Sequence, residues 1–468
     1  MVGPVPELDA RASACAERIA RAEGVLLASH IDADGLASAG IAASALERAG
    51  IPFEATFANQ LDAEALEEIA ESGFGTVLFT DFGSGQLDLI AEHEDRGAFT
   101  PVICDHHQPA DAETEFHCNP LLEGLNGATE LSGAGTAYLL ARALGGPANR
   151  DLAALAVVGA VGDMQSSDGE LVGANAAVVR EGVEAGVLDT ATDLALYGTQ
   201  TRPLPKLLEY TSDVGIPGIS GDANGTLRFL DDLDIDLREG GEWRCWADLA
   251  DDEKRTVASA LVRRAVASGV PSERIDGLIG TTHTLAREQP GTELRDASEF
   301  STLLNATARY ERADVGLAVC LGDREGALDA ARELLKNHRR NLSAGLRLVR
   351  SMGITRETNL QWFDAEDRIP ETIVGIVAGM ALGSDGADPG KPIVAFAEKD
   401  DGSAKVSARG THALVRRGLD LSAVVGTAAR AVGGDGGGHD VAAGATVPEG
   451  ERAAFIARAD RLVGEQLA

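Results

Sequence analysis

The chain is short of aromatic side chains, lysine, cysteine and long apolar runs, and each scarcity narrows what it can do. Aromatic residues are 4% of its 468 residues, so no ladder of stacking platforms for single-stranded nucleic acid is visible along it. Only six of the 41 basic residues are lysine, the acidic residues number 74 and the formal net charge is −33. The broad basic face of an ordinary nucleic-acid binder is therefore missing. The five cysteines, Cys15, Cys104, Cys118, Cys245 and Cys320, form neither a CxxC pair nor a dense framework, and a reduced cytoplasm is the expected location. No run reaches the ~18 apolar residues of a membrane span. The segment from Met1 to Ala20 lacks a basic start and a long apolar core, so neither an export signal nor a membrane partner is expected.

What is present is ample apolar material, 44% of residues, in a chain longer than one core usually supports. Two or three domains are expected. The acidic excess, arginine over lysine, and abundant alanine and glycine fit proteins of salt-loving archaea, whose cytoplasm is itself concentrated in salt. There the Debye length is ~3 Å or less, self-repulsion is screened, and a nucleic-acid substrate is compatible with the charge. The charge describes a halophilic habitat before it describes a partner.

The chemistry starts at Ser29-His30-Ile31-Asp32-Ala33-Asp34-Gly35, directly after the apolar run Gly24 to Ala28. If that run is a buried parallel strand, the loop lies at its carboxyl end, where open α/β sheets place their ligands. One imidazole and two carboxylates with nothing nearby to neutralise them suit a hard divalent cation such as manganese or magnesium. The pattern then repeats. A helix over Leu36 to Ala49, a strand over Pro52 to Phe57 and a helix over Ala63 to Glu71 lead to the strand Thr76 to Thr80, which ends in Asp81. A helix over Gln86 to Glu94 leads to the strand Pro101 to Cys104, which ends in Asp105, His106 and His107. This alternation predicts an α/β fold with a doubly wound, mostly parallel sheet, and puts all three loops on one edge. Asp163 ends a further apolar helix, Leu155 to Val161, and completes a rim with enough ligands for two metals sharing a bridging carboxylate.

As a set, SHxDxDG, TDxG, DHH and GxxGD, in this order and spacing, resemble the DHH phosphoesterase superfamily over most of the first 165 residues. The resemblance implies two divalent ions, manganese first and magnesium as the alternative. His30, Asp32 and Asp81 would hold one, while Asp34, Asp81, His106 and Asp163 would hold the other, with Asp81 bridging. His107 would contact the scissile phosphate, and Asp105 would orient the histidine pair.

Beyond this rim, Leu131 to Thr136 opens a helix whose N-terminus reads as ordinarily capped, with phosphate binding the alternative. After Thr199, prolines, glycines and the acidic run Asp231 to Asp236 break the rhythm, and residues 249–268 read as an amphipathic helix. The expected organisation is a metal-binding domain over 1–200, a helical subdomain over 201–322, a connecting helix over 323–352 and a smaller α/β domain over 353–468. The connecting helix carries Lys336, His338, Arg339, Arg340, Arg347 and Arg350. Within the subdomain, Glu299 to Arg309 resembles the EF…LLNA…R segment of archaeal RecJ-like nucleases; Asn305 and Arg309 either reach a nucleotide or hold the subdomain in place. In the last domain a hairpin is expected around Lys399-Asp400-Asp401-Gly402-Ser403. Arg409 followed by Gly436-Gly437-Gly438-His439 resembles the C-terminal DHH-associated domain, whose arginine and glycine loop grip substrate phosphates.

Together these resemblances imply a manganese-dependent exonuclease of the archaeal RecJ-like type, hydrolysing terminal phosphodiester bonds of single-stranded DNA or RNA. Its partner in replication and repair would be the GINS complex. Three other readings share part of the pattern. Hydrolases of very short oligoribonucleotides or of bisphosphorylated adenosine are shorter and lack the 201–322 segment. Family II pyrophosphatases lack the GGGH domain. A noncatalytic replisome component acting mainly as a GINS-binding partner should have lost metal ligands, which are all present here.

Overall fold

In the computed structural model, which describes residues 3–167, 169–211, 214–384, 386–399 and 401–467, a five-stranded parallel sheet carries the first third of the chain. Strands β1 (Val25–His30), β2 (Phe53–Ala58), β3 (Thr76–Thr80), β4 (Thr100–Cys104) and β5 (His117–Cys118) pair in the order 2-1-3-4-5. The chain winds outward from β1 to β2, then returns past β1 to β3, so a crevice opens between the β1 and β3 loops at the point where the winding reverses. Ala28 of β1 lies opposite Thr56 of β2 on one side and Phe79 of β3 on the other. As a central strand, β1 is buried from Val25 to Ser29.

Five helices cover this sheet, α1 (Asp9–Ala20), α2 (Ala33–Ala49), α3 (Ala63–Glu71), α4 (Leu87–Asp95) and α5 (Gly133–Gly145), and α6 (Ala153–Gly162) packs on α2 and α5. Alternate strand residues Leu26, Ala28, Val77, Phe79 and Ile103 pack on Leu66 and Ile69 of α3 and on Leu87 and Ile90 of α4. The opposite face is covered by α1, α2 and α5. Helix α2 is buried almost all round between Ala33 and Leu46, because its alanines and glycines let α5 and α6 pack closely against it. This is the doubly wound α/β arrangement that the strand–helix alternation predicts.

Residues 1–332 form one compact unit and 333–468 another. In the first, strand Leu188–Leu194 pairs antiparallel with Ile279–Leu285, a ladder that spans the boundary expected at residue 200. Between them, Leu207, Ile216, Leu230, Trp246 and Leu261 build a separate core, and the amphipathic helix occupies Asp251–Ala267. The long basic helix runs from Gly326 to Met352.

The second unit holds a six-stranded mixed sheet in the order Thr355–Arg356, Gln361–Asp364, Ile393–Glu398, Ala404–Arg409, Ala442–Val447, Asp435–Gly438. Helix Glu371–Leu382 packs on one face, and helices Leu421–Ala431 and Arg452–Leu467 on the other. The hairpin joins Ile393–Glu398 to Ala404–Arg409; Asp400 in its turn lies outside the described residues. The glycine run departs from expectation. Asp435–Gly438 is an edge strand, with Gly437 opposite Gly444, and no loop. A Cβ on Gly436 would lie 2.5 Å from that of Ala445, and one on Gly426 would lie 2.8 Å from the Gly436 carbonyl. The absent side chains therefore let this strand sit tightly between its neighbour and a helix. Composition conceals this, because glycine carries no strand signal.

Candidate metal centre

Each motif reaches the centre for a local reason. Strand β1 ends at His30, and the chain turns directly into α2 with Asp32 as its cap, one carboxylate oxygen accepting from Gly35 N–H at 2.9 Å. The other oxygen of Asp32 is 3.1 Å from His30 Nδ1. Asp34, in the first turn of the helix, is buried and accepts from the N–H groups of Gly133 and Ala134 at 2.8 and 3.0 Å. Asp81 follows β3 in the left-handed region, φ 61°, with its N–H bonded to the carbonyl of Cys104 in β4. That strained turn aims the carboxylate across the crevice: Oδ2 is 3.5 Å from His30 Nδ1 and Oδ1 is 3.3 Å from His106 Nε2. His106 Nε2 also faces Asp34 and Asp163, at 3.8 and 3.7 Å.

The ligand atoms of His30, Asp32 and Asp81 converge to within 4.8 Å of one another, as do those of Asp34, His106 and Asp163. Asp81 thus offers one oxygen to each trio. His30 Nδ1 and Asp81 Oδ1 are buried and make no hydrogen bond of good geometry. Buried polar atoms left without such partners are rare, and here they sit where a divalent cation would take their lone pairs. The protonation balance has the same origin. Burial pulls the His30 pKa down, but Asp32 and Asp81 outweigh it and push it up to about 11. Burial, with Asp81 and Asp163 beside it, raises the Asp34 carboxyl well above the usual range. Burial pushes Asp163 up to about 6, although His106 and a hydrogen bond from Gln165 pull the other way. Without a cation, the cluster draws in protons. The donor set of imidazoles and carboxylates fits two hard or borderline divalent ions.

Asp105 and His107 are used differently. Asp105 is fully buried; one oxygen accepts from the N–H groups of His106 and His107 at 2.7 and 3.2 Å and from His107 Nδ1 at 2.8 Å, and the other accepts from Ser84 N–H at 2.9 Å. Burial alone would raise its pKa, yet His107 and these donors hold it well below the usual range. His107 Nδ1–H is thereby fixed, and the exposed side of its ring carries Nε2. Burial lowers the His107 pKa, while the Asp105 bond more than compensates and raises it.

Several supporting residues carried no sequence signal. His106 Nδ1 bonds the carbonyl of Gly127 at 2.7 Å, which leaves Nε2 as the nitrogen a metal would take. Gln165 Nε2 donates to that same carbonyl at 2.8 Å and to Asp163 at 2.9 Å, and Asn175 fixes Gln165 through its amide oxygen at 2.6 Å. Asn119 Nδ2 donates to the His107 carbonyl and to Ser84 Oγ, both at 2.9 Å, and Ser84 Oγ lies 2.8 Å from His117 Nε2. A Cβ on Gly133 would collide with the Asp81 carboxylate, and one on Gly159 with that of Asp34. Their glycines are the one hint available, each lying in a small-residue helix beside a motif.

The remaining predicted residues are spread more widely. The α5 N-terminus is filled by the Asp34 carboxylate and the Ser132 cap, so no phosphate is needed there. Asn305 Oδ1 accepts from Ala33 N–H at 3.1 Å, tying helix Ala297–Arg309 to the start of α2. Arg309 is exposed at the end of that helix, and its charge reaches Asp32. In the second unit Arg409 donates to the Ala408 carbonyl at 2.8 Å and lies over Gly375. His439 is exposed just beyond the glycine strand, its N–H bonded to the Ala442 carbonyl at 2.8 Å.

Comparison with known proteins agrees with this layout. Residues 24–160 match the DHH family N-terminal domain, 196–279 the DHH-CID domain and 360–465 the DHHA1 domain. An uncharacterized protein of Methanocaldococcus jannaschii is 30% identical over 476 aligned positions, covering all of both chains. The fold is similar to that of RecJ in complex with Mn2+ from Thermus thermophilus (TM-score 0.62, 19% identity, 99% of this chain and 56% of that one). It is also similar to exonuclease RecJ bound to manganese (0.57, 19%, 99% and 96%) and to CDC45 from Entamoeba histolytica (0.63, 11%, 98% and 97%). The chain thus spans about half the length of the Thermus RecJ it matches. With three DHH-type domains in the expected order and a relative at 30% identity along its entire length, the chain belongs to the DHH superfamily of phosphoesterases, in its RecJ-like arrangement.

Proposed function

We propose that this chain is a two-metal phosphodiesterase that removes nucleotides from an end of single-stranded DNA or RNA, with manganese as its preferred ion and magnesium as a substitute. The observation that carries the reading is the Asp81 carboxylate, whose two oxygens face two separate trios of ligand atoms. Divalent cations held there would supply a water acidified toward neutral pH and positive charge for the phosphoryl oxygens. His30, Asp32 and Asp81 hold one ion; Asp34, Asp81, His106 and Asp163 hold the other. His107, with Nδ1–H given to Asp105, presents Nε2 to a non-bridging phosphoryl oxygen and steadies charge as the bond breaks. Asp105 keeps that ring in one orientation. Arg409, His439 and the strand segment Gly436-Gly437-Gly438 bind a phosphate. Asn305 fixes the first loop, and Arg309 lends it positive charge.

The resemblance of the chain to archaeal RecJ-like proteins implies a second role beside catalysis, as a replisome partner of GINS. The test is end-labelled single-stranded DNA, single-stranded RNA, duplex and a dinucleotide, incubated with manganese or magnesium at high salt, for the wild type and Asp81→Asn. Stepwise shortening of single strands, intact duplex and loss of turnover in the variant are expected. Cleavage of the dinucleotide alone would move the chain to the short-oligonucleotide hydrolases. Full turnover by Asp81→Asn would end the two-metal reading.

A further inference from the structure

Among the large apolar side chains exposed in the described residues, the most exposed is Met164, at 86%. It directly follows Asp163. Met164 also has φ 57°, in the left-handed region where a side chain is disfavoured and glycine is the usual occupant. The reason for that conformation is local. Helix α6 ends with Gln165 N–H bonded to the Ala160 carbonyl at 3.0 Å and Met164 N–H to the Val161 carbonyl at 3.2 Å, the closing pattern that places its penultimate residue in the left-handed state. Every other requirement of the turn would be met better by glycine. Gln165, next in line, is buried and holds Asp163, so the turn is firmly seated and its one outward side chain is an unbranched thioether at the rim of the metal centre.

We infer that Met164 is a substrate-contacting residue, whose thioether packs against the base of the nucleotide whose phosphate lies on the metals. This rests on the proposed nuclease reading. The chemistry suits the place: with a net charge of −33 and 4% aromatic residues, the chain has few ways to attract a nucleotide through charge or stacking rings. A polarizable, flexible side chain adapts to any base face and adds contact without sequence preference. A left-handed, non-glycine backbone at the residue next to a candidate ligand is then the mark of a contact completed only by substrate.

The chain contains four methionines, so the protein labelled with 13C at the methionine methyls gives a spectrum in which Met164 is assigned by its absence from Met164→Leu. A phosphorothioate oligothymidylate, which resists hydrolysis, is added with magnesium. The Met164 methyl is expected to move upfield under the ring current of a base, while the other methionines stay in place. Met164→Gly is expected to melt at the same temperature as the wild type or higher, yet to bind the oligonucleotide about tenfold more weakly, the loss of one stacking contact; Met164→Leu retains most of the affinity. An unmoved methyl in a complex that forms, or unchanged affinity in Met164→Gly, overturns the inference and leaves the nuclease reading standing. A clear fall in the melting temperature of Met164→Gly overturns it too, since the side chain would then be packed within the protein. If the wild type binds no oligonucleotide, both fall together.

Discussion

Asn119 joins two motifs through one side-chain amide. It donates to the His107 carbonyl and to Ser84 Oγ, and its own oxygen accepts from Leu121 N–H at 2.9 Å. Burial holds His117 neutral, with a pKa pushed down to about 4, and its Nε2 shares a hydrogen bond with the Ser84 hydroxyl. The loops carrying Asp81 and His107 are locked by this chain of donors. Asn119→Asp keeps the shape but removes both N–H donors. Its turnover is expected to fall about 10- to 100-fold, the usual cost of disturbing a residue that orients a metal site, while its metal content stays at the wild-type level. Steady-state kinetics beside elemental analysis decide it; equal turnover would mean that the loops are held by other bonds. The ligands themselves are legible because each carboxylate or histidine stops an apolar strand or helix. Asn119, Ser84, His117, Gln165 and Asn175 are ordinary polar residues in short segments. What singles them out is which distant carbonyl or carboxylate they meet, and one-dimensional spacing does not contain that.

Helix Ala297–Arg309 shows how an element can be placed by a buried charge. Asp296 caps it, and Glu299 lies fully buried one turn inside, accepting from Gln200 N–H at 2.7 Å and from the Thr201 hydroxyl. Burial outweighs those two bonds and pushes its pKa up to about 7. Since the unfolded carboxyl titrates near ~4.3, folding favours the protonated form. The stability that this preference gives is complete below that lower value and is lost as pH rises toward 7. Glu299→Gln removes the dependence. The variant should be more stable than wild type at pH 8, by on the order of 1–3 kcal/mol, and the gap should close toward pH 4; urea melts at both pH values read it directly. A gap independent of pH would show that the two accepted hydrogen bonds, and not the charge, set the balance. Elements with strong periodicity, such as α3 and the Asp251–Ala267 helix, follow from sequence within a residue or two. The glycine strand Asp435–Gly438 and the Leu188–Leu194 ladder do not, because what defines them is a partner far along the chain.

For the molecule as a whole, charge is the dominant fact. At ~0.1 M salt the Debye length is ~10 Å, and it falls to ~3 Å near 1 M. A chain with 74 acidic groups against 41 basic ones repels itself and a polyanion at the lower value and much less at the higher. The contacts proposed at the metal centre and at Arg409 are short-ranged and would survive screening. Turnover and folded stability are therefore both expected to rise from ~0.1 M toward molar salt, opposite to a binder that works by releasing counterions; activity and circular dichroism measured across that range with metal fixed will show it. Maximal turnover at the lowest salt, with an unchanged fold, would refute the halophilic account of the composition. The strand order 2-1-3-4-5 has a different consequence, one of timing. The groups that meet at the centre come from residues 30 to 163, and Asp81 is aimed only once β3 has paired with β4. No short piece of chain can gather them, so a cation has nothing to grip until the long-range pairing is done. A metal bound here would act as a late lock rather than a nucleus: it should leave the refolding rate unchanged and slow unfolding. The native state would then become long-lived through ions held at its candidate centre, and a chelator would shorten that lifetime and lower the equilibrium stability by the same factor, with the refolding rate unchanged.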